Sequence, residues 1–194
     1  MLEIGCGDGR LSSLLANKVD SLTAIDPDKA MINLACKKKS GVDFRVGYGE
    51  RLEFNDKSYD IVLFSYSLHH QDCVKALDEA KRVIRDNGII LIIEPSTEGE
   101  YTQFVSIFQE DEINRLSTTL AYIKSCNFDI IRQDVYCVNY YFKDDKELYY
   151  HFMDSFGGET DTGALEKMKA ILGNKKSARP VTIKDKVNII LLEF

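Results

Sequence analysis

The chain has 194 residues and a formal net charge of −6, and 44% of its residues are hydrophobic. This balance is ordinary for one globular domain with a sizeable core, and the acidic charge argues against a dedicated nucleic-acid-binding protein. No apolar run reaches the ~18 residues of a membrane span, and the amino terminus does not resemble a signal peptide. We therefore expect a single domain over residues 1–194, in the cytoplasm, without membrane or nucleic-acid partners.

Short apolar runs alternate with amphipathic stretches through the first half of the chain. This alternation predicts a doubly wound α/β fold, in which helices cover both faces of a mostly parallel sheet. The expected helices carry apolar faces that include Leu14, Leu34 and Val74, and Asn87-Gly88 is expected to end the third. Strands are predicted at 2–4, 21–26, 42–46, 59–66 and 89–93, and helices at 10–18, from Pro27 onward, and at 72–84.

The second half of the chain has a looser pattern. A helix is predicted at 110–126, a strand at 128–138, helices at 143–156 and 162–172 around Phe156-Gly157-Gly158, and a last strand at 187–194. We interpret residues 137–186 as a helical, aromatic-rich insertion before that last strand.

The cysteines give no sign of a disulfide framework or a zinc site. Their number is odd, their spacing is wide and no CxxC pair is present. We expect scattered buried thiols and no bound metal. The cysteines are Cys6, Cys36, Cys73, Cys126 and Cys137.

The first chemical signal is the loop Glu3-Ile4-Gly5-Cys6-Gly7-Asp8-Gly9-Arg10, which joins a strand to a helix. Glycines at alternate positions let the backbone turn sharply and let a ligand approach the main chain. The dinucleotide-binding pattern GxGxxG would need glycine where Arg10 stands, so a dehydrogenase is disfavoured, and no P-loop lysine follows. Either this is a nucleoside-binding loop of GxGxG form or the glycines only make a tight turn.

Asp26 lies at the end of the second predicted strand, 17 residues after Gly9. A carboxylate there can accept hydrogen bonds from both ribose hydroxyls of a nucleoside, and its alternative role is to cap the next helix. The combination of loop, spacing and strand-helix context favours a nucleoside-binding site.

In five successive segments the sequence resembles the class I S-adenosylmethionine-dependent methyltransferases. The resemblance covers Leu2 to Glu94, with the family's motifs in the family's order. The motifs are Glu3-Ile4-Gly5-Cys6-Gly7-Asp8-Gly9, Ala24-Ile25-Asp26-Pro27-Asp28, the segment from Gly47 to Phe54 (usually GDAExLPF), Ser58-Tyr59-Asp60-Ile61-Val62 with Leu68-His69-His70, and the segment from Arg82 to Ile92.

The resemblance implies a seven-stranded sheet with an antiparallel last strand, S-adenosylmethionine as cofactor and S-adenosylhomocysteine as product. It also implies methyl transfer to a small molecule by in-line displacement, for which positioning is the main catalytic effect. The cofactor-binding residues expected from the motifs are Glu3, Gly5, Cys6, Gly7, Gly9, Asp26, Pro27, Tyr48, Gly49, Glu50, Phe64 and Ser65.

Two departures from the family pattern bear on this interpretation. Tyr48 replaces the aspartate that binds the adenine amino group, so its hydroxyl could accept that hydrogen bond or its ring could cover the adenine. The helices that usually precede the first motif and cover the cofactor are also not seen. This keeps open a second interpretation, in which the chain is a cofactor-binding protein or partner subunit without catalysis.

His69 and His70 are the candidate catalytic residues. They follow the fourth strand, whose carboxyl end faces the cofactor in an open parallel sheet, and a histidine there could accept a proton from the methyl acceptor. The alternative is that the pair orders the loop or packs under the next helix. The NPPY and DPPY motifs of amide- and base-methylating relatives are absent, and Glu94 and Glu98 are interpreted as solvated or structural carboxylates.

Eight aromatic residues concentrate between 136 and 156. They could form a packed helix layer, a contact in a possible homodimer, or a lid over the substrate, and aromatic side chains suit each of these roles. We prefer the first two interpretations to the lid, although the spacing is the same in all three and cannot choose among them. These residues are Tyr136, Tyr140, Tyr141, Phe142, Tyr149, Tyr150, Phe152 and Phe156.

Overall fold

The computed structural model describes residues 1–125, 128–157 and 162–193. Its strands form one seven-stranded sheet in the order β3-β2-β1-β4-β5-β7-β6. The strands are β1 (Leu2–Ile4), β2 (Thr23–Asp26), β3 (Asp43–Val46), β4 (Tyr59–Ser65), β5 (Ile84–Pro95), β6 (Asp129–Phe142) and β7 (Val181–Glu193). The helices are α1 (Arg10–Leu15), α2 (Lys29–Cys36), α3 (Cys73–Val83), α4 (Glu100–Val105), α5 (Glu112–Ser125), α6 (Asp145–Phe152) and α7 (Thr162–Leu172).

The predicted fold class is confirmed. Strand β1 pairs in parallel with β2 and β4, β2 with β3, and β4 with β5, whereas β7 is antiparallel. In this register Ile4 lies opposite both Ile25 and Phe64. The carboxyl ends of the central strands therefore meet at one edge of the sheet, which is where ligands bind in open α/β folds.

One compact unit comprises Met1–Glu94, Thr119–Asp134 and Asn188–Phe194. Its core is mainly aliphatic because the central parallel strands are apolar on both faces. Helix α3 packs into this core through residues spaced three and four apart, as expected for an amphipathic helix. The buried residues of α3 are Cys73, Ala76, Leu77, Ala80 and Val83.

A second compact unit comprises Pro95–Thr118 and Val135–Val187. Its core contains phenylalanines stacked on one another, and Phe152 lies 4.9 Å from Phe104 between ring centroids. Residues 137–186 include the end of β6, α6, a π-helical turn at Met153–Gly157, α7 and the start of β7. The description of the chain as a single domain with a helical insertion stays a prediction.

Several predicted boundaries in the first unit are wrong. Pro27 does not lie in a helical turn, because Asp28 is the N-cap of α2 and its Oδ1 accepts a hydrogen bond from Ala30 N at 2.7 Å. Asn87-Gly88 does not end the third helix. Helix α3 ends at Val83, and Ile84 is already extended, so Asn87-Gly88 lies within β5.

The strand boundaries in the second half differ from the predicted ones because polar residues alternate with apolar ones at the strand ends. Strand β7 begins at Val181 instead of residue 187, and β6 continues to Phe142. Helix α6 stops at Phe152, four residues early, and α4 was not predicted. The predicted helix end at Cys126, the Gly158 turn and the strand end at Phe194 lie outside the described residues.

Some expected core residues are exposed. Leu14, Leu34 and Val74 face solvent, since each lies beside the buried stripe of its helix instead of on it. The expectation of buried thiols is wrong for Cys36 and Cys137, which are exposed, while Cys6 and Cys73 are buried. Cys126 lies outside the described residues.

Candidate functional site

The glycine loop after β1 contains three left-handed residues, Gly5, Gly7 and Gly9, with φ of 77°, 53° and 74°. Positive φ favours glycine at each position, but the surroundings differ. A Cβ at Gly5 would lie 2.3 Å from Ser67 Cβ, and one at Gly9 would lie 2.7 Å from the Phe44 ring. Gly5 and Gly9 are therefore needed for internal packing.

Gly7 differs from the other two glycines because a Cβ there would meet nothing within 4 Å. Its N–H donates a hydrogen bond of 2.8 Å to Asp26 Oδ2. The Gly7 backbone is thus held by Asp26, while the space at its Cβ position is open. A ligand that closely approaches the main chain requires this geometry.

Asp26, at the end of β2, braces this loop. Its Oδ2 accepts from Gly7 N, and its Oδ1 accepts from Asp28 N at 2.9 Å. Each carboxylate oxygen has a second lone pair, so Asp26 can still accept hydrogen bonds from a ligand while it shapes the loop.

A cavity of about 520 Å³ opens beside the loop. This volume falls in the usual range for small-molecule sites, about 300–1,000 Å³. The cavity is lined by eight of the predicted cofactor-binding and catalytic residues: Gly5, Gly7, Asp26, Pro27, Tyr48, Gly49, Glu50 and His70. The other residues that line it are Ile4, Gly47, Tyr66, Ser67 and Gln71.

The remaining predicted site residues do not line this cavity. Phe64 is fully buried in the sheet, and Ser65 and Gly9 belong to the adjoining backbone. Cys6 is buried, and its pKa is raised to about 12, mainly by burial. The Cys6 thiol is therefore protonated at neutral pH and is not a nucleophile.

Glu3 is also buried, away from the cavity. Its Oε2 accepts a hydrogen bond of 2.6 Å from Ser12 Oγ, which ties β1 to α1. Burial raises the pKa of Glu3 to about 7, and the Ser12 hydrogen bond opposes that rise. This carboxyl group therefore stabilises the loop between β1 and α1 without lining the cavity.

Ser67 and Gln71 were missed by the sequence reasoning. Ser67 Oγ donates to Ile4 O at 2.6 Å, and Gln71 Nε2 donates to Ser67 O at 3.0 Å. Gln71 Oε1 is buried and has no hydrogen-bond partner among the described residues. Their position just after the carboxyl end of β4 was the available signal, because that edge of the sheet is where ligands bind.

Gln71 also explains the glycine at position 49, where the motif usually has alanine. A Cβ at Gly49 would lie 1.9 Å from Gln71 Oε1 and 2.8 Å from Ile4 Cγ2. The Gln71 amide thus occupies the space that the alanine methyl group would need.

Tyr48 is exposed and lines two cavities, the one described above and a neighbouring one of about 490 Å³. Gly47 and Glu50 also line both cavities. The loop that carries Tyr48 can therefore be reached from both sides, which is compatible with either suggested role for its ring or hydroxyl.

The two neighbouring histidines have different surroundings. His70 is exposed and lines the cavity. His69 is buried, and its Nδ1 lies 2.5 Å from Glu94 Oε2. Their ring centroids are 3.9 Å apart. Only His70 is placed to contact a ligand in this cavity, and His69 lies behind it.

Glu94 is a structural carboxylate and is not solvated. It is fully buried, and its Oε1 accepts hydrogen bonds from the backbone N–H groups of Leu68 and His69 at 2.8 and 3.4 Å. It therefore holds the short 3-10 turn Leu68–His70 that presents His70. Glu98 is instead exposed and pairs with Lys186 at 2.6 Å.

Within residues 1–125, 128–157 and 162–193, no helix is both long enough and apolar enough to cross a membrane.

Comparison with known proteins finds sequence similarity in the first half of the chain. Residues 2–92 match the family described as "Methyltransferase domain". The chain is 32% identical over 100 residues to the uncharacterized methyltransferase YcgJ of Bacillus subtilis, which covers 48% of the chain and 40% of that protein. It is 28% identical over 97 residues to a demethylmenaquinone methyltransferase of Chlorobaculum tepidum, covering 49% and 40%. These matches span less than half the length of either relative.

Solved structures agree in fold over nearly the whole chain. The structure of YcgJ superposes with a TM-score of 0.70 at 20% identity, covering 99% of this chain and 90% of that one. A methyltransferase from Methanosarcina mazei gives 0.62 at 19% identity, covering 100% and 91%. Residues 2–92 are therefore similar to a methyltransferase domain, and the strand order of the sheet matches that of methyltransferase structures.

Proposed function

We propose that the cavity beside the glycine loop binds S-adenosylmethionine and that the protein transfers the methyl group to a small molecule. The match of residues 2–92 to a methyltransferase domain supports methyl transfer in general. The cavity supports a small-molecule site because it is concave and combines apolar residues with a few polar groups. The cytoplasmic location and the absence of a metal stay predictions.

The observation that carries this proposal is the pairing of Gly7 with Asp26. The open side of Gly7 fits a nucleoside that lies against the backbone, and the Asp26 carboxylate next to it fits ribose hydroxyls. Pro27 and the loop at Tyr48 and Gly49 line the same cavity and would enclose the adenine.

When bound, S-adenosylmethionine would supply an electrophilic methyl group to the acceptor atom, and its sulfur would take the electron pair of the broken C–S bond. The residues of this chain hold the two reactants in line and exclude water. A hydroxyl, thiol or amine acceptor must also lose a proton. We assign the proton-accepting role to the His70 imidazole, which lines the cavity.

Calorimetry with S-adenosylhomocysteine and with NAD tests the cofactor. We expect binding of the first and none of the second. Asp26→Ala should weaken binding by about 1–3 kcal/mol, or roughly 5- to 150-fold, because charge-assisted hydrogen bonds to ribose are lost and the loop brace at Gly7 is removed. Asp28→Ala is the matched control, since Asp28 caps α2 without lining the cavity. If Asp26→Ala binds S-adenosylhomocysteine as tightly as Asp28→Ala and the unmodified protein, Asp26 is not part of the site.

Gly7→Val tests the close approach of the ligand to the main chain. Its side chain should project into the cavity and abolish binding of S-adenosylhomocysteine. Gly41→Val controls for backbone strain, because Gly41 also has positive φ, 79°, and open space around its Cβ position but lies outside the cavity. Normal binding by Gly7→Val would show that the loop is only a turn.

Methyl transfer itself is tested with S-adenosylmethionine carrying a labelled methyl group. Demethylmenaquinone is the first acceptor to try, because a relative is named for it. His70→Ala should lower the turnover of a proton-bearing acceptor by about 10²- to 10⁴-fold if the imidazole takes the proton, with little change in affinity for S-adenosylhomocysteine. Cofactor binding without transfer to any acceptor in a broad screen would favour the non-catalytic interpretation.

A further inference from the structure

Strand β6 is the last strand in the sheet order and pairs with β7 among the described strands. Side chains on both of its faces are exposed from Asp129 to Gln133 and from Val135 to Cys137. Large apolar side chains are among them. Ile131 is 50% exposed, Val135 55%, Tyr136 47% and Ile130 37%. A long edge strand with exposed apolar residues is a template for pairing with another strand.

The charges on this strand are arranged around one residue. Arg132 and Asp134 flank Gln133 and lie on the same face, with Arg132 Nε 2.5 Å from Asp134 Oδ2. The residues on either side of this pair are apolar. The segment from Ile130 to Tyr136 is therefore symmetric in chemical character about Gln133, except that its two charges have opposite sign.

Such a pattern complements itself when two copies of the strand run antiparallel. If Gln133 faces its own copy, Arg132 faces Asp134 of the second copy, and Ile131 faces the second copy's Val135. Ile130 then faces the second copy's Tyr136. Opposite charges and apolar pairs that face each other across antiparallel strands stabilise the pairing.

We propose that two copies of this chain associate through β6, antiparallel and two-fold symmetric about Gln133. A two-fold axis perpendicular to the sheet must pass between two copies of the same residue, because it keeps each side chain on its face. Moving the axis by one residue would place Arg132 against Arg132, or Asp134 against Asp134, and like charges that face each other are destabilising. The charges therefore favour this register over the two adjacent ones.

Sedimentation velocity of the full chain at increasing concentration is the first test, with a concentration-dependent dimer as the expected result. Asp134→Arg and Arg132→Asp should each convert the dimer to monomer, because each places like charges opposite one another. Both side chains are on the surface, and thermal melts of the variants check that they fold. Only monomer at all concentrations of the unmodified chain would overturn the proposal.

Restoring the charge pairs separates this interface from any other. The double variant Arg132→Asp with Asp134→Arg should recover the dimer. An equimolar mixture of the two single variants should form a mixed dimer that neither forms alone, because each then offers the sign that the other lacks. Failure of both recoveries would reject self-pairing about Gln133, as would a dimer that ignores the single reversals.

The opposite edge of the sheet supplies a matched control. Strand β3 also carries an acidic and a basic residue two positions apart, Asp43 and Arg45, paired at 2.6 Å, but it has only four residues. Asp43→Arg should leave the dimer intact. Loss of the dimer in that variant would assign the interface to β3 and overturn the proposal for β6. If the pure protein is monomeric but forms complexes with other molecules through β6, self-association is rejected.

Discussion

The two compact units differ in how their cores are built. The core of the first unit consists mainly of leucine, isoleucine, valine and alanine from the central strands and α3. The core of the second unit is centred on Phe104, Phe142 and Phe152, with tyrosines packed around them. Aliphatic strand cores produce continuous apolar runs in the sequence, whereas aromatic clusters between helices produce scattered large residues.

This difference explains which parts of the fold could be predicted. The alternation of apolar runs and amphipathic stretches correctly indicated the parallel strands of the first half. The aromatic segment left three alternatives, because an aromatic face has the same spacing whether it is buried in its own core, against a partner or against a ligand. The structure buries Phe142 and Phe152 and exposes Tyr136, Tyr141 and Tyr150.

The largest expected effect concerns the aromatic core. Phe152→Ala should lower the free energy of unfolding by about 3–5 kcal/mol, because a fully buried ring that packs on Phe104 and Tyr101 is replaced by a cavity. Tyr150→Ala, on the same helix but exposed, should stay within about 0.5 kcal/mol of the unmodified protein. Urea denaturation measures both. Similar losses for the two variants would mean that the cluster is not a packed core.

The candidate site shows the same limits of sequence reasoning. The glycine loop and Asp26 could be predicted because backbone turns need glycine and the strand order places both at one edge of the sheet. The buried pairing of His69 with Glu94 could not, since these residues are far apart in sequence and their burial depends on how the strands pack. The burial of His69 and the exposure of His70 could not be predicted from two histidines that are adjacent in the sequence.

A smaller effect is expected at Glu94. Glu94→Ala removes the acceptor of two backbone N–H groups and of the His69 ring nitrogen, so buried donors lose their partner. We expect the free energy of unfolding to fall by about 2–4 kcal/mol. Glu94→Gln should lose less, because its amide oxygen can still accept from the backbone. Glu98→Ala is the exposed control, and we expect it to leave the stability nearly unchanged. A neutral Glu94→Ala variant would contradict the anchoring role.

The smallest effect compares one buried carboxyl group from each unit. Burial is the main cause that raises the pKa of Glu3 to about 7 and that of Asp185 to about 6, above ordinary values of about 4.3 and 3.9. In the folded protein each group therefore holds its proton at a pH where the unfolded chain has released it. The stabilisation from the protonated group is complete below its ordinary pKa and is lost as pH rises through the raised pKa.

The two groups should therefore affect different pH windows. Stability should decline from about pH 4.5 to 7 with contributions from both groups, of the order of 2 kcal/mol for each. Glu3→Gln should flatten the decline up to about pH 7, because the neutral amide cannot lose a proton, whereas Asp185→Asn should flatten it only up to about pH 6. Urea denaturation across pH 4.5–8 measures both. If Glu3→Gln leaves the slope between pH 6 and 7 unchanged, Glu3 is ionised in the folded protein throughout that window. The apolar surroundings of the first unit's core would then not control this carboxyl group, and its hydrogen bond with Ser12 would be the stronger influence.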